Sequence, residues 1–203
     1  MFSSRHLIFN LCFLTHQDDV LMLLRKKEPN KNMWNGVGGH LENGETPYQS
    51  MLREVEEETS VKPASIQFGG ILTWQGFAIP EGGLYPTGGM SSAGGMSSAG
   101  GMSSAGGMSS AGGMSSAGGL YIFTAEVPDK TVIENGEGQL AWHSRQFVFT
   151  SNQVVSNIHY FLPPVLAGAG PFHYHFKYEL GNMISRDVRI LPSWINIHQP
   201  IHF

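Results

Sequence analysis

The sequence predicts an α/β domain built on a mixed β-sheet. Apolar runs of strand length recur at residues 6–14, 20–24, 66–77, 120–127 and 172–178. Two stretches of helical pattern, one opening at Thr46 and one near Asn152, interleave with them. Setting aside a 32-residue repeat leaves 203 − 32 = 171 residues, a length that suits one domain of about 100–200 residues.

Taken in order, residues 6–14 form an apolar, β-rich run, and Asp18-Asp19 makes a turn into the second strand at 20–24. A polar loop follows through Pro29 to Asn35, and residues 36–41 are glycine-rich. Thr46 is a good helix N-cap, Pro47 suits the first helical position, and Gln49 completes a Thr-x-x-Gln capping box. That helix should run to about Thr59. Residues 66–77 read as one or two strands, with Gly69-Gly70 as a bulge or bend. Residues 80–119 are expected to be loop and repeat, residues 120–127 a strand, residues 134–138 a turn and residues 139–143 a short strand. A helix within 152–166 should break near Pro163-Pro164. Alternation of Phe172, Tyr174, Phe176 and Tyr178 with His173, His175 and Lys177 predicts a half-buried strand. Residues 188–190 could add a short one, and the last ten residues suggest no element.

Residues 88–119 are five copies of Gly-Gly-Met-Ser-Ser-Ala closed by Gly-Gly, and contain no charged or aromatic residue. Such a composition cannot bury enough apolar surface to offset chain entropy. It is expected to loop out between two strands, since loop closure grows only logarithmically with length. A partner-binding role for its methionines is the alternative. The net charge of −4 argues against coating a nucleic-acid polymer, which takes Lys and Arg on phosphates, yet leaves a small nucleotide open. The single cysteine, Cys12, cannot close an internal disulfide or a four-cysteine zinc site. No run reaches the ~18 apolar residues of a membrane span. The N-terminal run is broken by His6 and Asn10 and lacks a signal-peptide cleavage site. The expected location is cytoplasmic.

At 100° per residue, placing Glu54 at about 0° puts Glu57 near 300° and Glu58 near 40°. Three carboxylates thus share one helix face, beside a stripe of Tyr48, Met51, Leu52 and Val55, and should lie at the surface. Their repulsion would be relieved by a divalent cation, and oxygen ligands without His or Cys suit Mg²⁺ or Mn²⁺. On spacing alone, a solvated acidic face is the other reading.

The segment from Gly39 to Val61 resembles the Nudix box. It runs Gly39, five residues, Glu45, seven residues, then Arg53-Glu54-Val55-Glu56-Glu57-Glu58-Thr59-Ser60-Val61. The one departure is Ser60, where the box has Gly. The likeness extends in element order over about residues 5–180. It implies an α/β/α sandwich over residues 1–180, interrupted by the repeat, with residues 181–203 as a C-terminal extension. It further implies Glu54, Glu57 and Glu58 as metal-binding carboxylates, the Gly38 carbonyl as another ligand, and a distant glutamate at Glu137, with Glu134 as competitor. Gly39, Glu45 and Arg53 would be structural, Arg53 and Glu45 tying loop to helix. The implied reaction is Mg²⁺-dependent attack of water on a nucleoside diphosphate linked to another group, with Glu54 or Glu57 taking the proton. The αL position at the helix end favours Gly, so Ser60 should cost stability only, about 1 kcal/mol.

The run Met33-Trp34-Asn35-Gly36-Val37-Gly38-Gly39 resembles the 8-oxo-dGTP diphosphatase branch. That likeness implies Asn35 on a purine edge, with Arg25 reaching base or phosphate. The amide of Asn35 can both donate and accept; as a turn residue before Gly it has a simpler explanation. Asn157 stands near the place where relatives often carry acidic residues that select the base. The expected substrate is a modified nucleoside triphosphate, cleaved to monophosphate and pyrophosphate, with a nucleotide sugar or other nucleoside diphosphate derivative, or a nucleotide-binding Nudix module without turnover, as alternatives. His173 and His175 share a strand face; hydrogen bonding is favoured over metal binding, because two ligands do not complete a site.

Overall fold

A computed structural model of the chain describes residues 7–27, 30–79, 114–134, 138–179 and 182–202. Its strands are β1 (Leu7–His16), β2 (Asp19–Arg25), β3 (Trp34–Asn35), β4 (Gln67–Ile79), β5 (Met114–Glu126), β6 (Gly138–Ser144), β7 (Phe172–Glu179) and β8 (Asn182–Ile190). The helices are α1 (Pro47–Thr59), α2 (Arg145–Thr150) and α3 (Ile158–Leu166). The sheet runs β3-β2-β1-β5-β4-β7-β8, with β6 also pairing β2. It is mixed: β1 with β5 and β4 with β7 are parallel, the other pairs antiparallel. One face buries Met51 and Val55 of α1 against Leu7, Leu14, Ile71 and Phe123. The other buries Val148 of α2 and Ile158, Phe161, Leu162 and Val165 of α3 against Phe13, Leu72, Ile122 and Tyr174. This is the expected α/β/α sandwich.

Helix α1 starts and ends where its local signals say. Thr46 accepts from the Gln49 N–H at 3.1 Å, and the Gln49 side chain accepts from the Thr46 N–H at 3.1 Å. Ser60 ends the helix in the left-handed region, at φ 59° and ψ 16°. In β4, the register shifts between Phe68 and Gly70, at the expected bulge.

Other expectations are corrected. The helix expected within 152–166 is α3, but it is not broken at its prolines, since Pro163 and Pro164 lie inside it, and α2 precedes it where no helix was expected. Four buried apolar side chains on α3, at about 1.5–3 kcal/mol each, outweigh the roughly 3 kcal/mol attached to each interior proline. The polar loop after β2 contains β3, held by the Trp34 N–H donating to the Gln153 carbonyl and the Val155 N–H to the Trp34 carbonyl. Strand β8 is nine residues long where only 188–190 were expected. Strand β7 is buried on both faces: His173 and His175 both bond the Thr73 hydroxyl at 2.7 Å, which bears out hydrogen bonding for this pair. The repeat yields at Met114, where β5 begins. Gly118 lies against the Trp74 ring and Gly119 against Leu7, each so tightly that an added Cβ would fall 2.4 Å from them. The rest of the expected loop, residues 80–113, lies outside the described residues.

Beyond residue 180 the chain adds β8 to the sheet and then crosses α1. Leu191, Ile195, Ile197 and Ile201 pack against the core on that face. The tail also bonds the backbone around the start of α1. Tyr48 N–H donates to the Ile197 carbonyl (3.1 Å), Gly44 N–H to that of Ile201 (2.8 Å), and Ile201 N–H to that of Glu45 (2.9 Å). No helix among the described residues is long and apolar enough to cross a membrane.

Candidate active site

Strands β1 and β2 pair only beside their turn, at Thr15–Val20 and His16–Asp19. Beyond it the glycine-rich segment lies along β1 instead. Cys12 and Val37 exchange backbone hydrogen bonds (2.7 and 3.1 Å), Asn10 N–H donates to the Gly39 carbonyl (3.0 Å), and Leu41 N–H donates to that of Ile8 (3.0 Å). Gly38 makes this approach at φ 147°, and a Cβ there would lie 2.4 Å from the Asn10 carbonyl oxygen. The side chain of Asn10 ties strand, loop and helix together: its Oδ1 accepts from Gly39 N–H (3.0 Å) and its Nδ2 donates to Ser50 Oγ (2.8 Å).

Arg53 organises the carboxylates. Its Nε and Nη2 grip both oxygens of Glu45, at 2.8 and 3.0 Å, the bidentate fork that guanidinium and carboxylate favour. Nη2 also donates to the His40 carbonyl (3.1 Å). Nη1 alone reaches toward the box glutamates, donating to Glu54 Oε1 (2.9 Å) and Glu57 Oε2 (3.0 Å). The fork holds the Glu45 carboxyl below its usual range, and Glu45 in turn raises the Arg53 guanidinium. Burial pushes the Glu54 carboxyl up, assisted by the charge of Glu57 and opposed by Arg53. Gly39 is where Glu54 leans: a Cβ there would be 2.5 and 2.6 Å from its two oxygens.

The expectation that all three carboxylates lie at the surface is corrected. Glu57 is exposed (59%), but the Glu54 side chain is 13% exposed and Glu58 is 8% exposed. Glu58 is drawn in because its Oε2 accepts the Gly38 N–H at 2.7 Å, satisfying a loop donor that the sheet does not. Glu137 lies outside the described residues. Glu134 closes that turn by accepting from Leu140 N–H at 3.0 Å.

The proposed substrate residues form a second group. Arg25 ends β2 opposite Gly138, and its backbone closes the loop to Met33. Asn35 is buried, 2% exposed; its Oδ1 accepts from Gly36 N–H (3.0 Å), while its Nδ2 has no partner among the described residues. Asn157 precedes α3 and hydrogen-bonds Tyr178, whose hydroxyl burial holds well above its usual range. Asn10 and Ser50 are what the sequence reading missed. The available signal was a lone amide inside an apolar strand, which one hydrogen-bonded partner on a facing helix explains.

As to metal, the donors are all oxygens, as Mg²⁺ or Mn²⁺ requires. Glu54 and Glu57 already share one cationic nitrogen. Among the described residues, however, no three acidic, His or Cys side chains converge as a complete metal site.

Residues 5–86 match the family model for the NUDIX domain. An uncharacterized Nudix hydrolase of Bacillus subtilis, YvcI, is 35% identical over 63 residues, which are 31% of this chain and 38% of that protein. The chain thus aligns with well under half of that relative. Among solved structures, the mutator MutT protein from Bacillus halodurans superposes with a TM-score of 0.61 at 19% identity, over 89% of this chain and 95% of that one. The MutT protein from Methanosarcina mazei gives 0.53 at 14%, over 80% and 94%. The NUDIX domain of Shewanella oneidensis NrtR, solved with ADP-ribose, gives 0.50 at 14%, over 82% and 91%. At these identities the likeness is one of fold. The Gly39–Val61 motif and the match over residues 5–86 make that part of the chain similar to the NUDIX domain.

Proposed function

We propose that the chain hydrolyses a nucleoside diphosphate linked to a further group, and that its substrate is a modified nucleoside triphosphate cleaved to monophosphate and pyrophosphate. The observation that carries this reading is the joint placement of Glu54 and Glu57 on one Arg53 nitrogen, with Arg53 itself anchored by Glu45. A non-catalytic nucleotide-binding module would have no need of a largely buried carboxylate, pushed up by that burial, in that position.

In this reading Glu54, Glu57, Glu58, the Gly38 carbonyl and Glu137 hold Mg²⁺, or Mn²⁺ in its place. The cation's contribution is to neutralise diphosphate charge and to acidify water. Glu54 or Glu57 accepts the proton of the attacking water. Arg25 meets phosphate or base. The unpartnered Nδ2 of Asn35 is a buried donor facing a loss of about 1–3 kcal/mol until something accepts from it; a purine acceptor meets that need. Asn157, held by Tyr178, offers the base a neutral group in place of a carboxylate.

The test is a panel of oxidised and ordinary nucleoside triphosphates, nucleotide sugars and ADP-ribose with Mg²⁺, wild type beside Glu54→Gln and Glu57→Gln. Wild type should turn over a member of the panel, and turnover should fall by orders of magnitude in at least one variant with its melting curve intact. Unchanged turnover in both, or ligand stabilisation without product anywhere in the panel, would refute the proposal.

A further inference from the structure

Strand β8 ends the sheet, and among the described residues its sole strand partner is β7. A free edge offers a row of backbone donors and acceptors to another chain, and folded proteins usually blunt it with Lys, Pro or a bulge. From Ser185 to Ile190, β8 has no Lys and no Pro, and its register with β7 is regular. It also exposes aliphatic side chains, Val188 at 63% and Ile190 at 92%, on the face that carries Arg186. Asp187 and Arg189 occupy the opposite face, 3.0 Å apart.

Those charges select the partner. When an edge strand pairs antiparallel with its own copy about a two-fold axis normal to the sheet, every side chain stays on its face. The axis must then pass between one residue and its own copy on the partner strand. Centred on Asp187, the pairing opposes two aspartates; centred on Arg186 or Arg189, it opposes two arginines. Centred on Val188, it sets Val188 against the partner's Val188, and Asp187 against the partner's Arg189 twice over. Ile190 then meets the partner's Arg186, whose guanidinium lies 3.8 Å over the Tyr160 ring and so presents its aliphatic stem. Among these neighbouring registers, one alone matches opposite charges, and it also joins the exposed aliphatics.

We propose that the chain forms a two-fold dimer by antiparallel pairing of β8 with β8 of a second copy, centred on Val188, so that one sheet runs through both. The inference is independent of nucleotide chemistry.

Sedimentation of the full chain over a range of concentrations tests it. Wild type should sediment as a dimer that dissociates on dilution. Asp187→Arg alone, or Arg189→Asp alone, turns both cross-strand pairs repulsive and should weaken the dimer roughly tenfold or more. The double exchange Asp187→Arg with Arg189→Asp restores opposition of unlike charges and should recover it. Val188→Lys should abolish it. All three positions are exposed, so circular dichroism should show unchanged folding. A monomeric wild type overturns the proposal, including the case where deleting residues 88–113 is needed to release a dimer. A dimer indifferent to the charge reversals or surviving Val188→Lys overturns it equally.

Discussion

Replacing Gly39 by Ala should separate activity from stability. The new Cβ would stand 2.5 Å from Glu54 Oε2 and 2.6 Å from Oε1. Ordinary contact begins at 3.4 Å, so the carboxylate must retreat by about 0.9 Å. The atoms that yield are the far end of a side chain, and the yielding breaks little: the Arg53–Glu54 contact of 2.9 Å is one partly exposed ion pair, worth about 1 kcal/mol or less. A chain of this size should lose no more than about 2–4 °C in Tm. Turnover should suffer far more, because displacing a reacting group by ~1 Å costs on the order of 100-fold, or about 2.7 kcal/mol of barrier. Gly38→Ala is the contrast. Its Cβ meets the Asn10 backbone oxygen at 2.4 Å, at φ 147°, where neither partner can move cheaply, so folding itself should weaken by a few kcal/mol. The assay is steady-state turnover with Mg²⁺ on whichever nucleotide the panel selects, alongside thermal melts of both variants. A folded Gly39→Ala enzyme with wild-type turnover would refute the claim that the position of the Glu54 carboxylate matters to the chemistry.

Four further outcomes are expected. Ser60→Gly removes the penalty of a Cβ at φ 59° and should raise stability by about 1 kcal/mol, seen as a higher Tm with unchanged turnover. Gly118→Ala drives a Cβ to 2.4 Å from the Trp74 ring and should cost about 1–3 kcal/mol in urea melts; a neutral result would mean that this end of the repeat is not in the sheet. His175 is pushed down to about 4, by burial first and then by Arg189 and His173, against 6.5 when unfolded. The unfolded chain therefore binds more protons across that window, so stability is full above pH 6.5, declines toward pH 4 and levels off below, at up to ~1.4 kcal/mol per unit; urea melts across pH should show a shallower decline in His175→Gln. Deleting residues 191–203 removes the tail's hydrogen bonds to Gly44, Glu45 and Tyr48; turnover should fall along with Tm, whereas a cut that spares both would show the tail to be dispensable.

What could be read from the sequence was local or carried by a long motif. The capping box at Thr46 and Gln49, the proline at 47 and the αL residue at 60 each act within a few residues, and each is where expected. The Glu45–Arg53 pair came from the resemblance, as did the metal-binding role of Glu54, Glu57 and Glu58, whose grouping on one face the helical wheel already showed. What escaped depends on tertiary context. Helix α3 keeps its prolines because the sheet buries four of its side chains, information that lies in β1, β5 and β7. The helical wheel placed Glu58 outward correctly by angle, but not by environment, since the loop donor at Gly38 that draws it in is twenty residues away. The last Gly-Gly of the repeat reads as filler until Trp74 and Leu7 are seen to occupy the space where side chains would go.

Arg53 shows why the proposed site needs its loop as much as its helix. Three of its five contacts to carboxylate and carbonyl oxygens go to Glu45 and His40 in the loop, and the other two to Glu54 and Glu57. A guanidinium held only by Glu54 and Glu57 would follow those side chains wherever they moved. Held bidentately by Glu45, it stays in place while Nη1 releases either one. Glu45 can do this because its backbone is itself fixed: its N–H bonds the Glu42 carbonyl, and its carbonyl accepts from Ile201 in the tail. Glu42 N–H returns to the Glu45 carboxylate at 3.1 Å. The C-terminal segment thus supports the site through the backbone carbonyl of Glu45, the residue whose carboxylate anchors Arg53. Sequence spacing alone could not have shown this, because Glu45 and Ile201 are 156 positions apart and neither residue type suggests the other.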